Sequence, residues 1–598
     1  MTRADGAILG SGTSGSRRGA LLTLFSDLVG PHRGAVAAIM VLQIAATVTG
    51  LLLPLLGALI IDHGVAVGDT GYIGRYGLVM VVVTALAALL SVAAVWLSAR
   101  VSLRMARELR GWVFRRVHAL SAREFGRFGT AGLITRTTND VEQFGVFVHI
   151  GLSIFVTAPI LGLGGLAMAL YQGAKLAWVI AICIPVLFVT IGVIARKMMP
   201  EFSRMQTRID AVNQIVREQI TGVRVIRAYV REDGEQQRFA ITNDELTNST
   251  LRVGRLNALL YPTVMIIINS ATVAVVWFAA PMVQSGSIGI GDLTAFLSYL
   301  LMVLIAVLIV SALVVVYPRA AVCSERILEV LDTESSTTDT RYSTLAGDHR
   351  SPPVVALRHV TVHLEGAELP ILDDVSMTAR PGELTAIVGG TGSGKSTLLA
   401  LIPRLMSATD GAVFVAGVDV RGRRGDDLRR RIGYVAQQPD LLAGTIASAL
   451  RFGAPEASVA QMWDALEVAQ LADFVRADPK GLDAEVSQGG GNLSGGQRQR
   501  LAIARALIRR PPIYLFDDCF SALDSRTEEA VRAGLRTRLA GATVIMVTQR
   551  ISTIADADHI VVLEAGRVVG TGVHQALLRS CPEYAELAMS QISSREWA

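Results

Sequence analysis

Lysine is nearly missing from this sequence: only Lys175, Lys197, Lys395 and Lys480 accompany the arginines in a basic total of 56 residues. Cysteine is few and unpatterned. Cys183, Cys323, Cys519 and Cys581 form no CxxC pair and no metal-ligand spacing, so free thiols are expected rather than a disulfide framework or a zinc site. Charge is sparse as well, at 18% of residues against 51% hydrophobic. A soluble chain of this size would need more polar surface, whereas long apolar spans remove that need. The opening "MTRADGAILGSGTSGSRRGA" lacks the apolar core of a signal peptide, and residues 1–20 are expected to be a disordered cytoplasmic lead-in.

A chain of 598 residues exceeds one core, and several domains are expected. Apolar runs of about 20 residues recur near 35–61, 77–98, 149–172, 176–195, 257–282 and 293–317, which predicts six transmembrane helices. The connections alternate. "DHGVAVGDTG", "QGAK" and "QSGSIGIGD" are short and nearly free of Arg, while 99–148 and 196–256 are long and Arg-rich, so both termini and the long connections face the cytoplasm. The net charge of +5 reflects this topology bias, and no nucleic-acid partner is expected. No Asp, Glu, Lys or Arg falls inside the six spans. Ion-coupled transporters and proton relays need such a group near the midplane, so the energy source is sought elsewhere. Gln43, Asn269 and Ser311 are the polar residues of interest there, with hydrogen bonding between helices as the ordinary role. These patterns divide the chain into a membrane domain over 21–330, a polar linker over 331–353, an α/β domain over 354–585 and a tail over 586–598.

One of the rare lysines sits in "LTAIVGGTGSGKSTLLALI", an apolar strand, a Gly-rich loop and an apolar-periodic helix. Gly389, Gly390, Thr391, Gly392, Ser393, Gly394, Lys395 and Ser396 match G-x-x-x-x-G-K-[ST], with Thr397 following. Glycines let backbone N–H groups close around phosphate oxygens at a helix N-terminus. Lys395 is expected to reach the β/γ-phosphates of ATP and Ser396 to ligate Mg²⁺. Downstream, "IYLFDD" is a buried-type strand with carboxylates at its tip, where Asp517 is expected to help hold Mg²⁺.

Between these motifs lies "NLSGGQRQRLAIARAL", which resembles the signature segment of ATP-binding cassette (ABC) transporters. The resemblance extends over most of the chain. "YVAQQPDLLAGTI" is similar to the family's Q-loop, implying Gln437 as a further Mg²⁺ and ATP contact; "SALD" is similar to the D-loop ending in Asp524, and "VTQRISTI" to the switch region. "TAGLITRTTNDVEQF" and "EQITGVRVIRAYVRE" are similar to the cytoplasmic loop segments that dock on the ATPase domains of exporters. The resemblance implies a half-transporter: an all-α polytopic membrane domain of six helices followed by an α/β P-loop nucleotide-binding domain, in a bacterial inner membrane and obliged to dimerise. It also implies that two ATPase domains close head to tail, each ATP lying between one chain's phosphate loop and the other chain's signature. Closure then turns the membrane cavity outward.

Five positions depart from the family pattern. Asp518 stands where a Glu polarises the attacking water. The missing methylene withdraws the carboxylate by about 1.5 Å, against a base's reach of about 2.6–3.2 Å. Gln549 stands at the switch His and cannot carry an imidazolium charge. Leu364 replaces a Tyr that stacks on adenine, a loss of about 1 kcal/mol. Ser487 and Gln488 replace Gly and Glu before the signature. The signature residues Leu493, Ser494, Gly495, Gly496 and Gln497 are themselves intact.

The pattern resembles the degenerate-site subunit of heterodimeric, multidrug-type exporters, in particular actinobacterial pairs. It implies a second half-transporter carrying Glu and His at the matching positions, whose competent site this chain's signature completes. The alternatives are a catalytically active homodimer, a regulatory ATP-gated subunit, and an importer of iron-loaded siderophores with exporter architecture. Met265, Asn269 and Met302 are expected to line a substrate cavity for an apolar or amphipathic drug, lipid or lipopeptide.

Overall fold

A computed structural model describes residues 17–334, 354–364 and 366–592. Contacts divide them into two compact units. One holds the residues up to His118 with Thr130–Thr333, and the other holds Ala119–Gly129 with the residues from Glu334 onward.

The first unit is helical. A short α1 (Arg17–Val29) leads into α2 (Arg33–Ile60) and α3 (Thr70–Ala119). Beyond α4 (Ala122–Phe128), which groups with the second unit, come α5 (Val141–Gly173), α6 (Ala177–Ala228), α7 (Glu232–Gln284) and α8 (Ile290–Asp332). Each of the six expected apolar spans falls, to within one residue, inside one of α2, α3, α5, α6, α7 and α8. The helices run on past the spans, so the Arg-rich connections are mostly continued helix rather than loop, and α6 continues through Pro200. Leu89, Phe155, Leu163 and Trp277 stand exposed, as side chains facing lipid do.

Small residues and buried polar groups join these helices. Gly165 of α5 lies where a Cβ would come within 3.0 Å of Val303, so α5 and α8 approach closely. The Tyr299 hydroxyl of α8 donates to the Leu51 carbonyl of α2 at 2.8 Å. Thr157 of α5 donates to Gln43 Oε1 of α2 at 3.0 Å, which gives the buried Gln43 the interhelical role read from its sequence position. Met265 and Met302 are partly buried against the apolar core of this unit, whereas Asn269 is exposed. The side chain of Ser311 lies outside the described residues.

The second unit carries an antiparallel sheet and a mostly parallel one. Strands β1 (Val355–Val362), β2 (Leu372–Ala379), β4 (Asp410–Val415) and β5 (Val418–Asp419) form the order β2-β1-β4-β5. The larger sheet uses β3 (Leu384–Val388), β6 (Ile432–Val435), β9 (Ile513–Asp517), β10 (Thr543–Val547), β11 (His559–Glu564) and β12 (Arg567–Gly572) in the order β12-β11-β3-β10-β9-β6. A two-stranded ladder, β7 (Gly444–Thr445) with β8 (Glu485–Val486), completes the set. β9 and β10 are buried at every residue, as strands covered on both faces must be. Four helices bear on the site: α9 (Lys395–Leu401), α10 (Gly495–Leu507), α11 (Ser525–Arg538) and α12 (Ile551–Ile554).

The boundaries near the two termini differ from the sequence expectation. Helix α13 (Pro582–Ile592) crosses the boundary drawn at 585, and Tyr584 and Ala588 are fully buried against Ile551, Ile554 and Ile560. The segment from 586 therefore joins the core at Ala588, because the side chains of Tyr584 and Ala588, spaced four apart on α13, cover β11 and α12. At the other end α1 begins at Arg17, inside the expected lead-in; residues 1–16, 335–353 and 593–598 lie outside the described residues.

Candidate functional site

β3, β6, β9 and β10 run parallel, so the segments following them emerge at one edge of the sheet. That edge gathers Gly389 after β3, Gln437 after β6, Asp517 and Asp518 at the end of β9, and Gln549 after β10. Ligands of open α/β sheets bind at such carboxyl ends.

The loop after β3 is shaped by two glycines. Gly389 has φ 159°, and a Cβ there would lie 2.0 Å from the Leu563 carbonyl oxygen. Gly394 adopts a left-handed φ of 96° just before α9, where a Cβ would meet Leu372 at 2.7 Å. Inside the loop the Lys395 ammonium donates to the carbonyls of Gly389 at 2.9 Å and Gly390 at 2.6 Å, and to Ser393 Oγ at 3.3 Å. Thr391 and Gly392 are exposed at its tip, Ser393 is buried, and Thr397 is half-buried on the first turn of α9. Burial lowers the Lys395 ammonium below the usual lysine value, opposed by the charges of Asp518 and Asp517.

Ser396 Oγ donates to Asp517 Oδ1 at 3.0 Å, which joins the two motifs. Burial raises the Asp517 carboxyl above its ordinary range, against the Ser396 hydrogen bond and the Lys395 charge. Asp518 is raised by burial and then by Asp517, while Arg550, Lys395 and a side-chain hydrogen bond with Gln437 pull the other way. Its backbone is left-handed at φ 45°, a conformation that Asp tolerates better than most residues. The Asp518 N–H donates to the Val547 carbonyl at 2.9 Å, and its own carbonyl accepts from Ser521 Oγ at 2.9 Å. A loop of glycines, a buried ammonium, and a hydroxyl paired with a carboxylate form a donor and acceptor set that fits a nucleotide phosphate and a hard cation.

The signature segment is organised by its own caps. Ser494 precedes α10 and accepts from the Gln497 N–H at 3.2 Å, while Gln497 Oε1 accepts from the Ser494 N–H at 2.8 Å. Leu493 is buried beneath it, and a Cβ on Gly496 would lie 3.1 Å from the Ala522 carbonyl oxygen. Asp524 caps α11 through the Thr527 N–H at 2.9 Å, and this bond holds its carboxyl below the usual range. Ser487 serves as a turn anchor: its N–H and Oγ both donate to Asn492 Oδ1, at 3.0 and 3.1 Å. Leu364 lines a cavity of about 430 Å³ with Val362, Met406 and Thr409 and, from the segment before α4 and α4 itself, Ser121 and Arg123.

Some organising residues were not legible as such. Gln499, 4% exposed on the otherwise apolar face of α10, accepts from the Ala522 N–H at 3.1 Å and donates to Ser521 Oγ at 3.3 Å, which fastens the signature helix to the D-loop. A buried glutamine on an apolar helix face was the available signal. Arg550 donates to Glu528 Oε2 at 2.6 Å and to the Ser521 carbonyl at 3.3 Å, and Glu528 accepts from Thr553 Oγ1 at 2.6 Å. The switch region is thereby joined to the D-loop and α11.

Known proteins match most of this chain. A family model for the ABC transporter transmembrane region matches residues 36–343, and one for the ABC transporter domain matches 372–521. An ABC transporter ATP-binding protein of Mycobacterium tuberculosis is 46% identical, covering 96% of this chain and 98% of that one. The ATP-dependent lipid A-core flippase of Thiobacillus denitrificans is 31% identical, covering 95% and 98%. A bacterial Atm1-family ABC exporter solved with ATP bound superposes with a TM-score of 0.80 at 24% identity, over 94% of this chain and 99% of that one. The chain therefore belongs to the ABC transporter family, as an exporter-type half-transporter: a multi-pass membrane protein that carries its cytoplasmic ATPase domain on the same polypeptide.

Proposed function

We propose that this chain is the degenerate-site subunit of a heterodimeric exporter of apolar or amphipathic compounds. The observation that carries the reading is the pairing of Asp518 with Gln549 at the edge where ATP is bound. In this reading Lys395 leaves the loop carbonyls to meet the β/γ-phosphates, and Ser396, Asp517 and Gln437 hold Mg²⁺, which neutralises phosphate charge when bound. Asp518 is a methylene short of the base position, and Gln549 contacts the γ-phosphate without offering a proton. The site retains nucleotide and turns it over slowly. Ser494, Gly495 and Gly496 complete the competent site of a second half-transporter bearing Glu and His.

The lipid A-core flippase among the relatives supports a lipid-like or amphipathic substrate, as does the absence of charged residues from the six spans. The deciding experiment compares ATPase activity of the purified chain alone and with its partner half-transporter. Activity should need the pair and should survive Asp518→Asn. High activity of the isolated chain, abolished by Asp518→Asn, would sink the degenerate-site reading in favour of an active homodimer. ATP-driven uptake into inside-out vesicles, with ATPase stimulation screened across lipids, drugs and siderophores, tests direction and substrate.

A further inference from the structure

The last described helix reaches the switch loop. Tyr584, Ala588 and Gln591 recur at i, i+4 and i+7, so they share one face of α13. The first two are fully buried, in one cluster with Ile551 and Ile554 of α12, and the Tyr584 hydroxyl is anchored 2.7 Å from His574 Nδ1. The third position of that face is polar. Gln591 Nε2 donates to the Gln549 carbonyl at 2.6 Å, and Gln591 Oε1 accepts from the Ile551 N–H at 2.8 Å. One side-chain amide thus bonds the backbone on both sides of Arg550. The loop is held from within as well, since the Arg550 N–H donates to Thr548 Oγ1 at 3.1 Å.

We propose that Gln591 is a positioning residue for γ-phosphate sensing. It acts through the switch backbone, and α13 is part of the nucleotide-responsive apparatus. The two bonds set the peptide planes at 549 and 551, and those planes determine where the Gln549 side chain points and whether Arg550 reaches Glu528 and Ser521. A glutamine is suited to the task because one planar amide offers a donor and an acceptor together. Asn would be a methylene too short, and Glu keeps only the acceptor. Diphosphate lacks the group that the switch residue contacts, so loss of the clamp should affect triphosphate binding selectively. The inference holds whether or not Asp518 supports hydrolysis, because it concerns binding alone.

The test uses the full-length chain in nanodiscs, titrated with AMP-PNP and with ADP, together with hydrogen exchange at the Ile551 amide. For Gln591→Ala, AMP-PNP affinity should fall about fivefold or more, the worth of one to two hydrogen bonds, while ADP affinity stays within about twofold. Ile551 exchange should quicken. Gln591→Glu should keep Ile551 protected yet lose triphosphate preference, and it answers the question if the alanine variant folds poorly. Equal loss for both nucleotides, or unchanged preference in a variant whose Ile551 amide is deprotected, would overturn the proposal and leave Gln591 a helix-docking residue only.

Discussion

The Ser396 hydroxyl donates to Asp517 Oδ1 over 3.0 Å, so the phosphate loop and the tip of β9 are already joined at the position where a cation would be shared. If that pair is the metal-binding element, Ser396→Ala should reduce the Mg²⁺-dependent gain in ATP affinity by about tenfold, or about 1.4 kcal/mol. Affinity measured in EDTA should change little. Titrations with and without Mg²⁺ decide it, and an equal loss in both would remove Ser396 from the metal's shell.

Asp518 makes a prediction about pH. Burial and the Asp517 charge raise its carboxyl in the folded state, so the folded protein binds that proton more tightly than the unfolded chain. Stability therefore falls as pH rises from the unfolded carboxylate value to the raised folded one, and the penalty is fully present above that window. Asp518→Asn should raise the melting temperature of the nucleotide-free protein at neutral pH and flatten this part of the profile. Asp517 contributes with the same sign and remains. A lower melting temperature at neutral pH would mean that Arg550 and Lys395 outweigh burial.

Restoring the family residues should restore chemistry. In the heterodimer proposed above, with the partner's own base disabled, Asp518→Glu combined with Gln549→His should raise ATPase of the pair by about 100-fold, within the range of a positioned general base. Either substitution alone should give much less. The left-handed backbone at 518 sets a ceiling on the gain, because Glu is less at ease there than Asp. No gain from the double variant would place the defect elsewhere in the site.

Two neighbouring glycines should behave differently. Gly389→Ala puts a methyl 2.0 Å from the Leu563 carbonyl and should cost about 3 kcal/mol or more while abolishing ATP binding. A Cβ on Gly390 meets nothing within 4 Å, and Gly390→Ala should leave the melting temperature unchanged. Thermal denaturation of both variants checks the contrast.

Much of this architecture was legible in the sequence because its signals are local. Six apolar runs each require a helix in lipid, and each lies in one. The phosphate loop was readable since a strand, a glycine loop and a helix lie within a few consecutive turns of chain. Asp518 and Gln549 stood out against the family pattern. The continuation of helices beyond the membrane was less visible, because arginines break up the apolar runs there, although Val101, Met105, Leu109 and Val113 recur every four residues and are buried. The end of the soluble domain was placed too early, since α13 is short and its apolar face has meaning only against β11 and α12.

By itself the sequence determined the class of protein, the phosphate-loop motif and the two departures from the family pattern at 518 and 549, all of which are properties of residue type and spacing. Tertiary structure decided which groups meet. Ser396 and Asp517 are 121 residues apart, and Gln591 reaches back 42 residues to the Gln549 carbonyl. The parallel strand order brings the first pair to one edge, and packing of Tyr584 and Ala588 brings the second into reach. Hydrogen bonds across such separations depend on the path of the whole chain, which no local pattern of residues encodes.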